Sequence, residues 1–184
     1  MRVYLLRHGQ SEANVAGVIS DDPAHVHHLT SLGLAQARAA AGELAGIAFA
    51  HVYVSRHART RETAEAMLEV WRRPVPVSVD ARIDERHSGL DGRPVEAFNG
   101  LVRPDPVNIK PPHGESFREQ MARVRAFLDA AAKRHGAATI LVVSHENPIQ
   151  AARAAAGLDP EVAVREALGN CAWVVLDWPP AEGV

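Results

Sequence analysis

Five short apolar runs punctuate the chain, at about Arg2 to Leu6, His51 to Val54, Val75 to Val79, Thr139 to Val143 and Cys171 to Asp177. Each has the length of a strand, and the longer segments between them carry apolar residues at helical spacing. Thr30 is placed to cap a helix running to about Ala45, which ends near Gly46. A second helix, roughly Arg59 to Trp71, sets Ala64, Met67, Leu68 and Trp71 on one stripe. A third, from about Glu115 to His135, aligns Phe117, Met121, Val124 and Leu128. Strands alternating with helices predict an α/β fold, a three-layer α/β/α sandwich around a largely parallel central sheet. The stretch from Asp80 to Gly114 breaks the rhythm. It is rich in glycine and proline, few of its apolar residues recur periodically, and so long an irregular segment in a compact fold belongs at a binding site or lid.

The 184 residues read as one domain, spanning 1–184, with enough chain for a substantial core. Apolar residues make up 47% and charged residues 23%, and the formal net charge is -2. Nothing in that balance calls for nucleic acid or an anionic membrane as partner. The basic residues are almost all arginine, a side chain suited to bidentate phosphate binding. Cys171 is the sole cysteine and reads as a buried thiol in a reducing compartment. The apolar stretch from Met1 to Leu6 is too short for a signal peptide or a membrane span, so the expected location is the cytoplasm.

Two histidines share one grammar. His8 follows the apolar run Val3 to Leu6 in Arg7-His8-Gly9-Gln10-Ser11-Glu12-Ala13-Asn14, and His145 follows Ile140 to Val143 in Ser144-His145-Glu146-Asn147. A group at a strand end is held rigidly yet open to ligands. Between them stand Ser55-Arg56-His57-Ala58-Arg59 with Thr63-Ala64, and Ile83-Asp84-Glu85-Arg86-His87-Ser88-Gly89. Taken alone, Arg56, Arg59 and Arg61 read as a solvated basic face, and Asp84 to His87 as a solvated loop. His113-Gly114-Glu115-Ser116 reads as a loop exit followed by a helix start.

Taken together and in this order, the four segments resemble the signature of the histidine phosphatase superfamily, the phosphoglycerate mutase-like enzymes, over about residues 1 to 176. The resemblance implies a histidine acid-type phosphatase in which His8 attacks phosphorus and Arg7, Arg59 and His145 surround the equatorial oxygens. His145 is then protonated when phosphate is bound, and Glu85 gives a proton to the leaving oxygen. Nearby cations favour the neutral, attacking form of His8. Asp84 is the local competitor of Glu85 for the acid role. Gly9 lets the backbone turn close to the phosphate, while Ser11 and Asn14 aim a hydroxyl, an amide and backbone N–H groups at an anion.

The expected activity is hydrolysis of a small phosphorylated metabolite through a phosphohistidine, with no metal and no other cofactor. A 2,3-bisphosphoglycerate-dependent phosphoglycerate mutase is the alternative reading, followed by a noncatalytic phosphate-binding module. Against the mutase, the chain carries Ser88 where mutases have tyrosine, and Arg93, Arg103 and Lys110 without an adjacent arginine pair. The expected partner is a small phosphate ester, and the chain leaves a homodimer open.

Two departures from the family pattern stand out. Arg56-His57 replaces a common Pro-Leu, and Glu146 replaces glycine beside His145. An unpaired carboxylate about 4 Å from bound phosphate costs roughly 4 kcal/mol at an effective dielectric near 20. Glu146 must therefore turn away, pair with an arginine, or join Asn147 in reading the substrate. Adjacent histidines point differently, so His25, His27 and His28 are expected to border the phosphate site as a loop rather than to bind a metal.

Overall fold

The computed structural model describes residues 1–179. Five strands form one sheet: β1 (Arg2–Arg7), β2 (His51–Val54), β3 (Val77–Val79), β4 (Thr139–Ser144) and β5 (Trp173–Asp177), in the order β3-β2-β4-β1-β5. All neighbours are parallel except β5, which runs antiparallel to β1 at one edge. Among the described residues, seven α-helices accompany the sheet: α1 (Glu12–Ala16), α2 (Ser31–Glu43), α3 (Ala58–Trp71), α4 (Val95–Val102), α5 (Phe117–His135), α6 (Glu146–Ala155) and α7 (Pro160–Ala163).

The central strands read as continuous apolar runs because both faces are covered. Successive side chains go to opposite layers. Val3, Leu5, Ile140 and Val142 pack with Phe117, Val124, Phe127 and Leu128 of α5. Leu6, Leu141 and Val143 pack with Ala37 and Ala41 of α2 and Ala64 and Met67 of α3. These two half-cores make the three layers. Both predicted helical stripes lie in them, with Leu68, Trp71 and Met121 at their half-buried margins.

Element ends follow local chemistry. Ser116 and Glu119 form a reciprocal capping box that starts α5 two residues after the Gly114 loop exit. Pro76 has no N–H to give a ladder, so β3 begins at Val77, although the Pro76 carbonyl still accepts from Val52 N at 2.9 Å. Cys171 has φ 56 and turns the chain into β5, which begins at Trp173 rather than at Cys171. Its thiol is buried, which pushes its pKa up to about 12. The stretch expected to be irregular, Asp80 to Gly114, contains α4, entered at Pro94. Val95, Phe98 and Leu101 recur at one helical turn, a stripe too short to stand out among the surrounding prolines.

One contact ties the helical layer to the loop after β1. Gly9 and Gly33 meet backbone to backbone: a Cβ on Gly9 would lie 2.4 Å from the Gly33 carbonyl oxygen, and one on Gly33 would lie 2.1 Å from that of Gln10. Neither obstacle is a flexible side chain. Gly33→Ala should therefore destabilise the protein by roughly 1–3 kcal/mol, as overpacking of a tight contact does. Urea denaturation measures this, and a midpoint equal to wild type would show that the contact yields.

Candidate active site

The register of β1 against β4 pairs Arg7 with Ser144, so the residues that follow, His8 and His145, emerge side by side at the carboxyl ends of parallel strands. Their rings lie 5.1 Å apart, edge to face, and both are buried. Strand β2, beside β4, delivers Ser55 to the same end and leads into α3, whose second residue is Arg59. The segment after β3 makes a single 3-10 turn, Ala81–Ile83, before Asp84 and Glu85.

Arg59 is the hub. It is 3% exposed and touches no carboxylate within ion-pair distance among the described residues. Its Nε donates to His8 Nε2 at 3.1 Å and its Nη2 to His145 Nδ1 at 3.0 Å. Nη1 donates to Ser20 Oγ at 2.9 Å, and Nη2 also to the Ser20 carbonyl at 2.8 Å. Guanidinium can only donate, so these contacts assign the tautomers. His8 accepts at Nε2 and donates from Nδ1 to the Gly9 carbonyl at 2.7 Å. His145 accepts at Nδ1 and donates from Nε2 to Ser55 Oγ at 2.8 Å.

Both imidazoles are therefore neutral. Burial holds each well below the ordinary histidine range, and the Arg59 charge adds to the effect. The structure thus holds neutral the His145 ring that the family resemblance implied to be protonated once phosphate is bound. A third neutral ring, His57, lies edge-on to His145 at 4.6 Å, and burial followed by Arg59 lowers its pKa to about 3. Arg59 itself falls to about 10, chiefly through burial.

Of the two candidate acids, Asp84 has a fully buried side chain and accepts from Arg56 N at 2.8 Å and from Arg56 Nε. It is occupied in fastening the turn after β2, which explains what Arg56 does there. Glu85 borders the cavity, accepts from Arg86 N at 2.9 Å, and places Oε2 3.9 Å from His145 Nδ1. Burial raises its pKa above the usual glutamate value, with Arg59 and Arg7 pulling the other way.

A cavity of about 370 Å³ opens over these groups, and Arg7, His8, Ser11, Asn14, Glu146 and Asn147 all border it. Gly9 does not. Its N–H donates to Thr63 Oγ1 at 3.1 Å and its α-carbon faces Gly33, so its small size serves helix packing rather than approach to a ligand. The Ser11 hydroxyl is engaged in a capping box with Asn14, where Asn14 Oδ1 accepts from Ser11 N at 3.0 Å. Only the Asn14 amide nitrogen remains to donate. Glu146 is paired: its Oε2 lies 3.0 Å from Arg7 Nη1.

The His25, His27 and His28 loop does not border this cavity. His25 Nδ1 lies 2.6 Å from Asp91, and His28 is paired with Glu62, so their partners draw them apart onto different elements. Ser20 was invisible in the sequence. No pattern marks it, because what makes it an Arg59 partner is the pairing of residues 17–22 with 88–95, through bonds such as Ile19 N to the Arg93 carbonyl at 2.8 Å.

Comparison with known proteins finds relatives in both sequence and fold. The chain is 31% identical over 155 residues to the adenosylcobalamin/alpha-ribazole phosphatase of Salmonella typhimurium, covering 79% of this chain and 74% of that protein. It is 32% identical over 164 residues to a 2,3-bisphosphoglycerate-dependent phosphoglycerate mutase of a Methylobacterium species, covering 81% and 77%. Among solved structures, a mycobacterial glucosyl-3-phosphoglycerate phosphatase superposes with a TM-score of 0.81 at 26% identity, over 96% of this chain and 92% of that one. The alpha-ribazole phosphatase of Shigella flexneri gives 0.82 at 25% identity, over 96% and 90%. The sequence profile of the histidine phosphatase superfamily, branch 1, matches residues 3–184, and the chain belongs to that family.

Proposed function

We propose that the protein is a metal-independent phosphomonoester hydrolase that works through a phosphohistidine at His8 on a small phosphorylated metabolite. The observation that carries this reading is the neutral His8 ring, its Nε2 lone pair turned to Arg59 beside the cavity that Glu85 borders. When an ester phosphate enters, Arg59 transfers its donors from the imidazoles to phosphoryl oxygens, which frees Nε2. The lone pair then forms the N–P bond as the P–O bond to the alcohol breaks, and Glu85 protonates the departing oxygen. Water attacks the phosphohistidine next, Glu85 takes its proton, and Nε2 leaves with its electron pair. Arg7, Arg59 and a protonated His145 supply the positive charge around the equatorial oxygens.

Hydrolysis is favoured over mutase chemistry by the state of the cations around the cavity. A mutase must hold a second anionic group. Arg86 is buried and donates to the carbonyls of Glu115, Pro106 and Ile109, each at 3.3 Å. Arg165 is paired with Glu161 at 3.1 Å, and Arg7 shares its charge with Glu146. Arg93, Arg103 and Lys110 do not border the cavity.

His8→Ala should abolish phosphate release from aryl phosphates and acid-labile labelling by a phosphorylated substrate, while wild-type activity survives exhaustive EDTA treatment. Turnover by the variant, or metal-restored activity after chelation, would overturn the mechanism. Glu85→Gln should slow alkyl phosphates far more than p-nitrophenyl phosphate, whose leaving group needs no proton. Because burial raises the Glu85 pKa, the alkyl-ester rate should hold through mildly acidic pH and decline on the alkaline side. Equal losses on both esters would assign the acid elsewhere.

The neutral histidines also set acid stability. His57 has a folded pKa near 3 against an ordinary value of 6.5, so its contribution is complete above pH 6.5 and is lost as pH falls toward 3. Over that window one such group costs about 1.4 kcal/mol per pH unit. His57→Leu should remove close to one proton from the acid-side slope of unfolding free energy, read by urea titration at successive pH values. An unchanged slope would show that His57 takes up a proton in the folded state.

A further inference from the structure

Glu146 does more than neutralise Arg7. Its Oε1 accepts from Leu168 N at 2.9 Å, while Arg7 Nη1, 3.0 Å from the other carboxylate oxygen, donates to the Leu168 carbonyl. Both polar groups of the Leu168 residue are thus gripped by two side chains, one from the end of β1 and one from the start of α6. A second tie lies next to it: Gln150 Nε2 donates to the Glu166 carbonyl at 2.8 Å. Further along, Asn170 Nδ2 donates to the His8 carbonyl at 3.1 Å. The segment held in this way carries Val164 and Ala167, which border the cavity, as do Val95 and Phe98 of α4.

Resting on the phosphatase reading, we propose that Glu146 is a specificity-determining positioning residue. By fixing Leu168 it sets one wall of a leaving-group pocket built for an uncharged alcohol with an apolar face. Beyond Arg7 and Arg59, which the phosphoryl group takes, the arginines that border the pocket are Arg86, bonded to backbone carbonyls, and Arg165, paired with Glu161, so a second anion meets no unpaired guanidinium there, whereas Val164, Ala167, Val95 and Phe98 offer apolar surface. Asn99 and Asn147 add neutral polar groups to the same cavity, suited to hydroxyls. The carboxylate has two separable effects. As an acceptor it holds the wall, and as a charge it competes with phosphate for Arg7.

Two substitutions separate them. Glu146→Gln keeps an acceptor for the Leu168 N–H and removes the charge, whereas Glu146→Gly removes both. Each variant would be assayed on 1-naphthyl phosphate and glycerol 3-phosphate, with orthophosphate as inhibitor. Orthophosphate should inhibit both variants more strongly than wild type. The ratio of kcat/KM for the naphthyl over the glycerol ester should stay at its wild-type value in the Gln variant. In the Gly variant it should fall by about tenfold or more, the scale on which an apolar pocket discriminates. Ala167→Phe, at an exposed position that tolerates bulk, should lower the same ratio without changing orthophosphate inhibition, and it serves if the Gly variant fails to fold.

Equal ratios in the Gln and Gly variants, or a ratio indifferent to Ala167→Phe, would overturn the proposal. If wild type hydrolyses no ester, the phosphatase reading fails separately. The wall is then read by calorimetric binding of 1-naphthylmethylphosphonate relative to orthophosphate in the same variants, with the same pattern expected.

Discussion

Parallel pairing of β1 with β4, in the register that sets Arg7 opposite Ser144, is the constraint from which the site follows. Both strands are buried on both faces, and a slip of one residue would turn every apolar side chain into the wrong half-core. The register is therefore held by core packing far larger than any polar contact at the strand ends. What the site receives from it is two histidines at one point, reached along separate stretches of chain. The same sheet sets Ser55 beside them through β2, where its hydroxyl accepts from Nε2 of His145, the tautomer being fixed by the Arg59 donor at Nδ1.

Arg59 then decides the electrostatics. A buried guanidinium without a carboxylate partner is costly unless its donors are satisfied, and here two imidazole nitrogens and Ser20 satisfy them. Burial, with the Arg59 charge added to it, keeps three histidines packed edge to face neutral, which is the state a nitrogen nucleophile requires. The arrangement also stores a cation beside the cavity that, among the described residues, is hydrogen-bonded only to neutral groups. The nearby carboxylates are separated by environment. Asp84 is consumed by Arg56 and Glu146 by Arg7, whereas Glu85, half-buried on the cavity, is paired with no arginine or lysine among the described residues.

Loops complete the enclosure by holding one another. Asp91 accepts from the N–H groups of Asp21 and Asp22 at 2.7 and 3.0 Å and pairs with His25, which joins the segment bearing Ser20 to the one following Ser88. Arg86 draws the long excursion inward from beneath, with its guanidinium 5.0 Å from the Phe98 ring centroid. The glycine- and proline-rich stretch thus supplies part of the cavity wall together with Glu85, while the histidine loop braces that wall from outside the cavity through His25 and Asp91.

The strands, the three long helices and the placing of His8 and His145 at strand ends were legible in the amino-acid order because each rests on a local signal, a buried apolar run or a helical stripe, whereas Arg59 and Glu85 looked like solvated surface locally and were singled out only by the order of four segments resembling a family signature. Helix α4 was not legible, since one turn of Val95, Phe98 and Leu101 is a weak signal amid prolines. Nor could local order reveal that Gly9 is small for the sake of Gly33, that Ser20 holds Arg59, or that Glu146 grips Leu168 across 22 residues of chain. The sequence by itself determined the period of each element and the kinds of group at its end, because those depend on neighbours within a few residues. Only the tertiary structure decided which groups meet and which charges are spent on one another. Burial, tautomer and pKa depend on atoms brought close by the sheet, and local sequence holds no record of those distances.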